Sequence, residues 1–211
     1  MKCPHCLHLF HEQLDSNFVG DGPEGKWRTK FQTCPGCEKS IIFLGTYDGY
    51  GKLRTSYLVF PKGIARTPLP SEVVDHNVRN DYSESCLVLG DSPKASAALS
   101  RRCLQYILRE KAKVKKSDLN REIQELLDRG SLPSDIAENL DAVRNIGNFA
   151  AHPMKGTNSG EILDVEPHEA EWNLEVLEQL IDYYYVRPAL SMKKREVLNQ
   201  KLTEAGKPPL K

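Results

Sequence analysis

The sequence predicts an α+β protein in which a small β-sheet precedes an all-α antiparallel helical bundle. The first 60 of its 211 residues contain short, glycine-bounded stretches rich in β-branched and aromatic residues. Beyond residue 75, apolar residues recur at helical spacing and the connections between helical stretches are short. We therefore place the β unit at residues 1–60, a proline- and glycine-rich linker at 61–75 and the helical bundle at 76–211.

The composition is that of a soluble globular protein, with 39% hydrophobic and 27% charged residues. Because 29 basic residues balance 29 acidic ones, any contact with nucleic acid or an anionic membrane must come from a local patch. No apolar run is long enough to span a membrane, and the first residues lack the apolar core of a signal peptide. We expect a cytoplasmic protein that does not bind membranes.

Four of the six cysteines form two Cys-Pro-X-Cys pairs, Cys3 with Cys6 and Cys34 with Cys37. The two-residue gap lets both sulfurs of a pair bind one metal ion, and two pairs supply the four thiolates of a tetrahedral zinc site. The 27 residues between the pairs are more than usual, but the glycines within residues 20–25 indicate an extended turn. The sequence therefore predicts one structural Zn²⁺ ion.

Other interpretations of the cysteines explain less. A redox motif needs one Cys-x-x-Cys at the start of a helix, and disulfides are typical of exported proteins. His5, His8 and His11 are alternative ligands, although four cysteines already complete a site. Cys86 and Cys103 lie on predicted apolar helix faces, where we expect them to be buried without metal.

Predicted strands at residues 26–32, 40–47 and 52–60 complete a zinc ribbon around the two knuckles. Because so small a core is marginal by itself, zinc binding and folding should be one event. The unit has seven basic and six acidic residues, which favours a folding and docking module. Trp27 and Tyr47 could stack on nucleic-acid bases, but covering the small sheet is the simpler interpretation.

Six helices are predicted in the second unit, at residues 77–89, 93–111, 117–129, 133–151, 167–186 and 191–205. Ser92 is the expected N-cap of the second helix, with Pro93 in its first turn, and Gly130 ends the third. In the second helix, Ala97, Arg101, Leu104 and Leu108 are expected on adjoining turns. The fifth helix is expected to carry an apolar side that consists of Trp172, Val176, Leu177, Leu180 and Ile181.

Charge is distributed unevenly along the second unit. Residues 61–186 contain 15 basic and 21 acidic residues, a net charge of −6. Residues 187–211 contain seven basic and two acidic residues, a net charge of +5. This basic C-terminal helix and tail can bind phosphate or an acidic partner, or can be a solvated end of the chain.

Residues 143–153 combine an apolar stripe with a polar one. On a helix, Val143, Ile146, Gly147 and Ala150 follow Leu140 on the core side, while the opposite flank carries Arg144, Asn145, Asn148 and His152. Arginine, amides and histidine can bind a phosphodiester, stabilise its developing charge and move protons, as metal-independent RNA cleavage requires. Alternatively, Asn148 and His152 hydrogen-bond to nearby backbone and hold the loop that begins at Pro153.

Residues 80–186 resemble a prokaryotic domain family of unknown function whose members recur beside restriction and phage-defence proteins, and an N-terminal zinc ribbon is a known companion of this family. The matching segments are residues 81–85 (Asp-Tyr-Ser-Glu-Ser), 92–104, 144–153 and 166–180. The family is similar to the HEPN superfamily of helical bundles. Many of these bundles are dimeric endoribonucleases, and others are inactive partner-binding proteins.

The HEPN resemblance implies a homodimer with a site at Arg144 and His152, and the polar flank of the helix adds Asn148 to this candidate site. The active motif of the superfamily is an Arg followed by four to six residues and a His, whereas seven residues separate Arg144 from His152. We expect a zinc-binding, dimeric interaction module in a nucleic-acid-linked or defence setting, with a protein or RNA partner. The alternative is a metal-independent HEPN-type endoribonuclease, in which Arg144 stabilises the phosphate and His152 is the general acid/base.

Overall fold

The structure is a computed structural model that describes residues 1–62, 66, 69–151, 154–155 and 162–210, with side chains except at 145–151, 154–155 and 162–163. The chain forms two compact units, Met1–Pro68 and Leu69–Lys211, called here the sheet unit and the helical unit. A β-sheet followed by helices confirms the predicted α+β fold. The boundary between the units falls inside residues 61–75, and the linker role of that whole segment stays a prediction.

The sheet unit is a four-stranded antiparallel sheet in the order β1-β2-β3-β4. Its strands are β1 (Asp15–Gly22), β2 (Gly25–Thr33), β3 (Ser40–Tyr47) and β4 (Leu53–Phe60). Three of them agree with the predicted strands, whereas β1 was not predicted and extends over residues 20–22 of the expected extended turn. Its sequence has weak β-propensity, and its backbone pairing with β2 defines it as an edge strand.

The turn between β1 and β2 depends on Gly25. Its φ is +126°, a conformation that side chains disfavour. A Cβ at this position would lie 2.3 Å from the Tyr47 carbonyl oxygen of β3. Gly25 therefore allows the β1–β2 hairpin to approach β3 closely.

The helical unit contains α1 (His76–Val88), α2 (Pro93–Glu110), α3 (Leu119–Asp128), α4 (Ser134–Ala151), α5 (Pro167–Ile181) and α6 (Arg187–Glu204), with β5 (Met154–Lys155) and β6 (Ile162–Leu163) between α4 and α5. The Ser92 side chain accepts a hydrogen bond from the Ala95 amide at 3.2 Å, as expected of the N-cap. A π-helical segment, Asp182–Val186, joins α5 and α6 into one continuous helix. Within the described residues, no helix has both the length and the apolar character needed to cross a membrane.

The hydrophobic core of the helical unit forms around α2, which packs against α1, α3, α4 and α5. Most of the predicted apolar faces of α2 and α5 are buried. Trp172, which was expected on the apolar side of α5, is 39% exposed, because the buried stripe of this helix is centred near Asn173 and Leu177. Arg101 is half-buried, and this burial lowers the pKa of its guanidinium.

Buried hydroxyl groups tie α1 to its neighbours. The Ser85 hydroxyl lies 2.9 Å from that of Ser96 and 2.8 Å from that of Ser100, both on α2. The Tyr82 hydroxyl donates to the Glu178 carboxylate on α5 at 2.5 Å. Burial, together with this hydrogen bond, raises the pKa of Tyr82, so the phenol stays neutral and continues to donate.

Candidate functional site

Each Cys-Pro-X-Cys pair lies in a tight knuckle, and the two knuckles repeat one hydrogen-bond pattern. In each knuckle, the carbonyl oxygen of the first cysteine accepts a hydrogen bond from the amide four residues later in the chain. The amide of the same cysteine donates to the carbonyl oxygen five residues later. These bonds are Leu7 N to Cys3 O (3.0 Å), Cys3 N to His8 O (2.9 Å), Glu38 N to Cys34 O (2.9 Å) and Cys34 N to Lys39 O (3.0 Å). The backbone therefore turns both sulfurs of each pair to the same side.

The four cysteine sulfurs converge on a single point. All of them lie within 4.8 Å of one another, with Sγ–Sγ distances of 3.9 Å between Cys3 and Cys37 and 3.8 Å between Cys6 and Cys34. A tetrahedral ion with metal–sulfur bonds of about 2.3 Å separates its ligand sulfurs by about 3.8 Å. The four residues therefore fit one tetrahedral metal ion.

Backbone amides also stabilise sulfur in its ionised form. The His5 amide lies 3.3 Å from Cys3 Sγ, and the Gly36 amide lies 3.4 Å from Cys34 Sγ. Burial raises the pKa of Cys34, but the bonds from the Gly36 and Cys37 amides and from neighbouring thiols outweigh it and lower the pKa to about 7. Such amide–sulfur contacts favour the thiolate that a metal ion binds.

The Cys6 thiol has the opposite shift. Its backbone hydrogen bond at His8 lowers the pKa, whereas burial and the bonds with the other three thiols raise it to about 12. Four thiols this close cannot all ionise without repelling one another. A divalent cation held among them would offset that repulsion, which is a second reason why this donor set suits a metal ion.

The three nearby histidines do not join this group of sulfurs. His5 Nε2 lies 2.8 Å from the Ser40 carbonyl oxygen, and the His5 ring packs against Phe60. The His8 ring covers Gly36, where a Cβ would lie 3.2 Å from His8 Cγ. Among the described residues, the group of potential ligands consists of the four cysteines alone.

The remaining cysteines are buried in the helical unit, as predicted. Cys86 is 9% exposed and Cys103 is fully buried. Burial raises the pKa of Cys103 to about 12, so this residue remains a neutral thiol. Its Sγ lies 3.6 Å from the Val78 carbonyl oxygen on α1, which indicates a packing role.

Arg144 lies on α4 one turn after the buried Leu140 and next to the buried Val143, at the edge of the core stripe. Its guanidinium donates to the Gln124 side chain of α3 at 2.5 Å and pairs with Asp141 at 2.6 Å. The side chain is 27% exposed. A phosphate at this position would have to compete with the Asp141 carboxylate.

The rest of the predicted polar segment lies outside what the structure describes. The backbone at Asn145 and Asn148 continues α4, but their side chains are not among the described residues. His152 and Pro153 lie outside the described residues altogether. The convergence of Arg144, Asn148 and His152 on one site therefore stays a prediction.

Asn173 is a buried polar residue that the sequence reasoning missed. It is 1% exposed on α5, and neither its amide nitrogen nor its oxygen has a hydrogen-bond partner in the described part of the chain. On the same helix, Gln179 accepts a hydrogen bond from Asn139 of α4 at 3.2 Å. In the sequence, Asn173 is recognisable as a single amide side chain on an otherwise apolar face of the predicted helix.

Comparison with known proteins gives one match. A family profile described as "Domain of unknown function (DUF4145)" matches residues 83–204, from α1 to the end of α6. No curated protein and no solved structure matches. The matched region excludes the cysteine cluster, and the description of the family states no function. Because the match covers more than half of the chain, this protein belongs to the DUF4145 family.

Proposed function

We propose that this protein is a zinc-binding interaction module. The observation that carries the proposal is the convergence of four cysteine sulfurs within 4.8 Å. Four thiolates in tetrahedral geometry favour Zn²⁺ among the common biological cations. With four protein ligands the coordination shell is closed, so the ion has a structural role and activates no water.

The partner surfaces of the module include the C-terminal helix. No residue of α6 is buried, and four apolar side chains of this helix are exposed: Leu190, Met192, Val197 and Leu198. Exposed apolar side chains concentrated on one helix favour a packing partner. Together with the resemblance to dimeric HEPN-like bundles, this supports a cytoplasmic homodimer acting in a nucleic-acid-linked or defence setting.

Two measurements on the purified protein test this proposal. Elemental analysis should find about one zinc per chain, and light scattering should give the mass of two chains. A pull-down from the native host would then identify the partner. A metal-free protein, or one that remains monomeric at micromolar concentration and retains no partner, would contradict the proposal.

A second candidate function is a metal-independent endoribonuclease. It is favoured by the partly exposed Arg144 guanidinium on α4 and by the histidine eight positions later. Arg144 would stabilise the phosphate, with Asn148 beside it, and His152 would move protons while the ribose 2′-OH attacks. In a dimer, two copies of the segment would share one cleft. The Arg144–Asp141 ion pair and the long Arg-to-His spacing favour the first proposal.

Replacing His152 by alanine separates the two functions. If His152 is structural, His152→Ala should cost about 1–3 kcal/mol in the free energy of unfolding, because a buried partner loses its hydrogen bond. RNA should remain intact with both wild-type protein and variant. His168→Ala is the matched control, because His168 is exposed in the first turn of α5. An unchanged melting temperature together with lost cleavage of single-stranded RNA would instead establish the nuclease.

A further inference from the structure

Three cations of β2 lie on one face of the sheet. The register pairs Lys26 with Tyr47, Arg28 with Gly45 and Lys30 with Phe43 of β3. Paired residues of antiparallel strands point to the same side, and positions two residues apart share a face. Lys26, Arg28 and Lys30 therefore form a row with a spacing of about 6.8 Å along the strand. We call this side of the sheet the basic face.

Aromatic side chains flank this row. Phe18 of β1 pairs with Arg28, so it lies on the basic face, and it is 53% exposed. The Lys30 ammonium lies 5.6 Å from the centre of the Tyr47 ring, which holds it above the sheet. The Tyr47 hydroxyl is buried and has no hydrogen-bond partner among the described residues.

Among the described residues, the basic face carries little negative charge. In the described part of the chain, none of Lys26, Arg28 and Lys30 forms an ion pair. Among the paired residues of β1 to β4 on this face, the one carboxylate is Asp21, which pairs with Lys26 at the end of the row. A chain with no net charge thus concentrates unpaired positive charge on one small surface.

We propose that the basic face binds single-stranded nucleic acid. The row of Lys26, Arg28 and Lys30 contacts successive phosphates of an extended strand, and Phe18 stacks on a base beside them. This combination of a positive track with an exposed aromatic ring is how sheet surfaces bind single strands. The inference rests on the proposed interaction-module function and names the partner of its sheet unit.

The surface distinguishes a single strand from other polyanions. In a duplex the bases are stacked inside, so Phe18 would contribute nothing and phosphate contacts alone would remain. An acidic protein surface would satisfy the cations but would give no role to an exposed ring next to Arg28. The pairing of Phe18 with Arg28 therefore favours unstacked bases.

The test uses the full-length, zinc-loaded protein and a fluorescein-labelled 12-nucleotide single-stranded DNA, which cannot be cleaved through a 2′-OH. Anisotropy titrations should show binding that weakens with salt. The combined change Lys26→Gln, Arg28→Gln and Lys30→Gln should raise the Kd at least tenfold and reduce the slope of log K against log salt by about 2. Phe18→Ala should raise the Kd severalfold and leave the slope unchanged.

The matched control replaces three exposed lysines of the same unit that the register does not place on this face, Lys39→Gln, Lys52→Gln and Lys62→Gln. It makes the same change in net charge and should leave the Kd within twofold. Any one of three results would overturn the inference. These are an equal loss of affinity in both triple variants, equal affinity for duplex DNA of the same sequence, and zinc-loaded dimeric protein that binds only an acidic protein. The last outcome would leave the interaction-module proposal intact.

Discussion

Replacing Cys34 and Cys37 together by serine is expected to remove the metal ion and unfold the sheet unit. The described buried hydrophobic residues of this unit are Cys3, Cys34, Ile41 and Tyr47, so two of the four belong to the group of converging cysteines. Apolar burial on this scale cannot stabilise a sheet of four strands. Zinc binding supplies about 10–16 kcal/mol of apparent free energy in comparably small zinc domains, and the variant would lose it.

Elemental analysis and hydrogen exchange would measure this effect. Zinc should fall from about one per chain to near zero, and amides of β1 to β4 should lose their protection. The helical unit has its own buried cluster and should keep its protection. The matched control changes the other two cysteines, Cys86→Ala with Cys103→Ala, and should retain the metal. Zinc that persists in the Cys34/Cys37 variant would show that the knuckles do not hold it.

Glu122→Ala is expected to be the most destabilising single change in the helical unit. Glu122 is fully buried on α3, and its Oε1 accepts from Arg109 Nε at 2.8 Å and from the Ser117 amide at 2.8 Å. The same oxygen lies 2.6 Å from Arg109 Nη2, which completes an ion pair. The Arg109 side chain on α2 is 29% exposed. Removing the carboxylate leaves this cation partly buried without its counter-ion, which costs about 3–5 kcal/mol.

Urea unfolding monitored by circular dichroism would test the effect of Glu122→Ala. Glu125→Ala is the matched control, because the Glu125–Arg129 pair on the same helix is much more exposed and should contribute below about 1 kcal/mol. Replacing the whole pair, Arg109→Met with Glu122→Leu, should recover most of the lost stability, because no unpaired charge remains. Equal losses for Glu122→Ala and Glu125→Ala would show that the buried pair is not important for stability.

Local signals in the sequence were sufficient to predict most of the elements. Ser92 and Pro93 located the start of α2, and Gly130 the end of α3, because caps and breakers act within a few residues. The strand β1 was missed because its residues have weak β-propensity, and pairing with β2 completes its backbone hydrogen bonds. The orientation of Trp172 was also predicted wrongly, since periodicity leaves the edge of a buried stripe uncertain.

The two candidate sites were predictable to different extents. The cysteine cluster was evident from spacing alone, because a Cys-x-x-Cys knuckle determines its own sulfur geometry. The helical position of Arg144 followed from the predicted α4, but its bonds to Asp141 and Gln124 did not. The row of Lys26, Arg28 and Lys30 has a period of two within a predicted strand, so this signal was available, but its aromatic neighbours depend on the strand register.

By itself, the sequence determined the α+β order of the chain, the two Cys-Pro-X-Cys knuckles and the start of α2, because each of these depends on residues close together along the chain. The predicted break between helices at residues 187–190 is absent, because a π-helical segment joins α5 to α6. The tertiary structure decided which distant groups meet: Phe18 with Arg28, Arg109 with Glu122 and Tyr82 with Glu178. These contacts depend on strand register and helix packing, which many weak interactions set together. No short segment of the sequence contains that information.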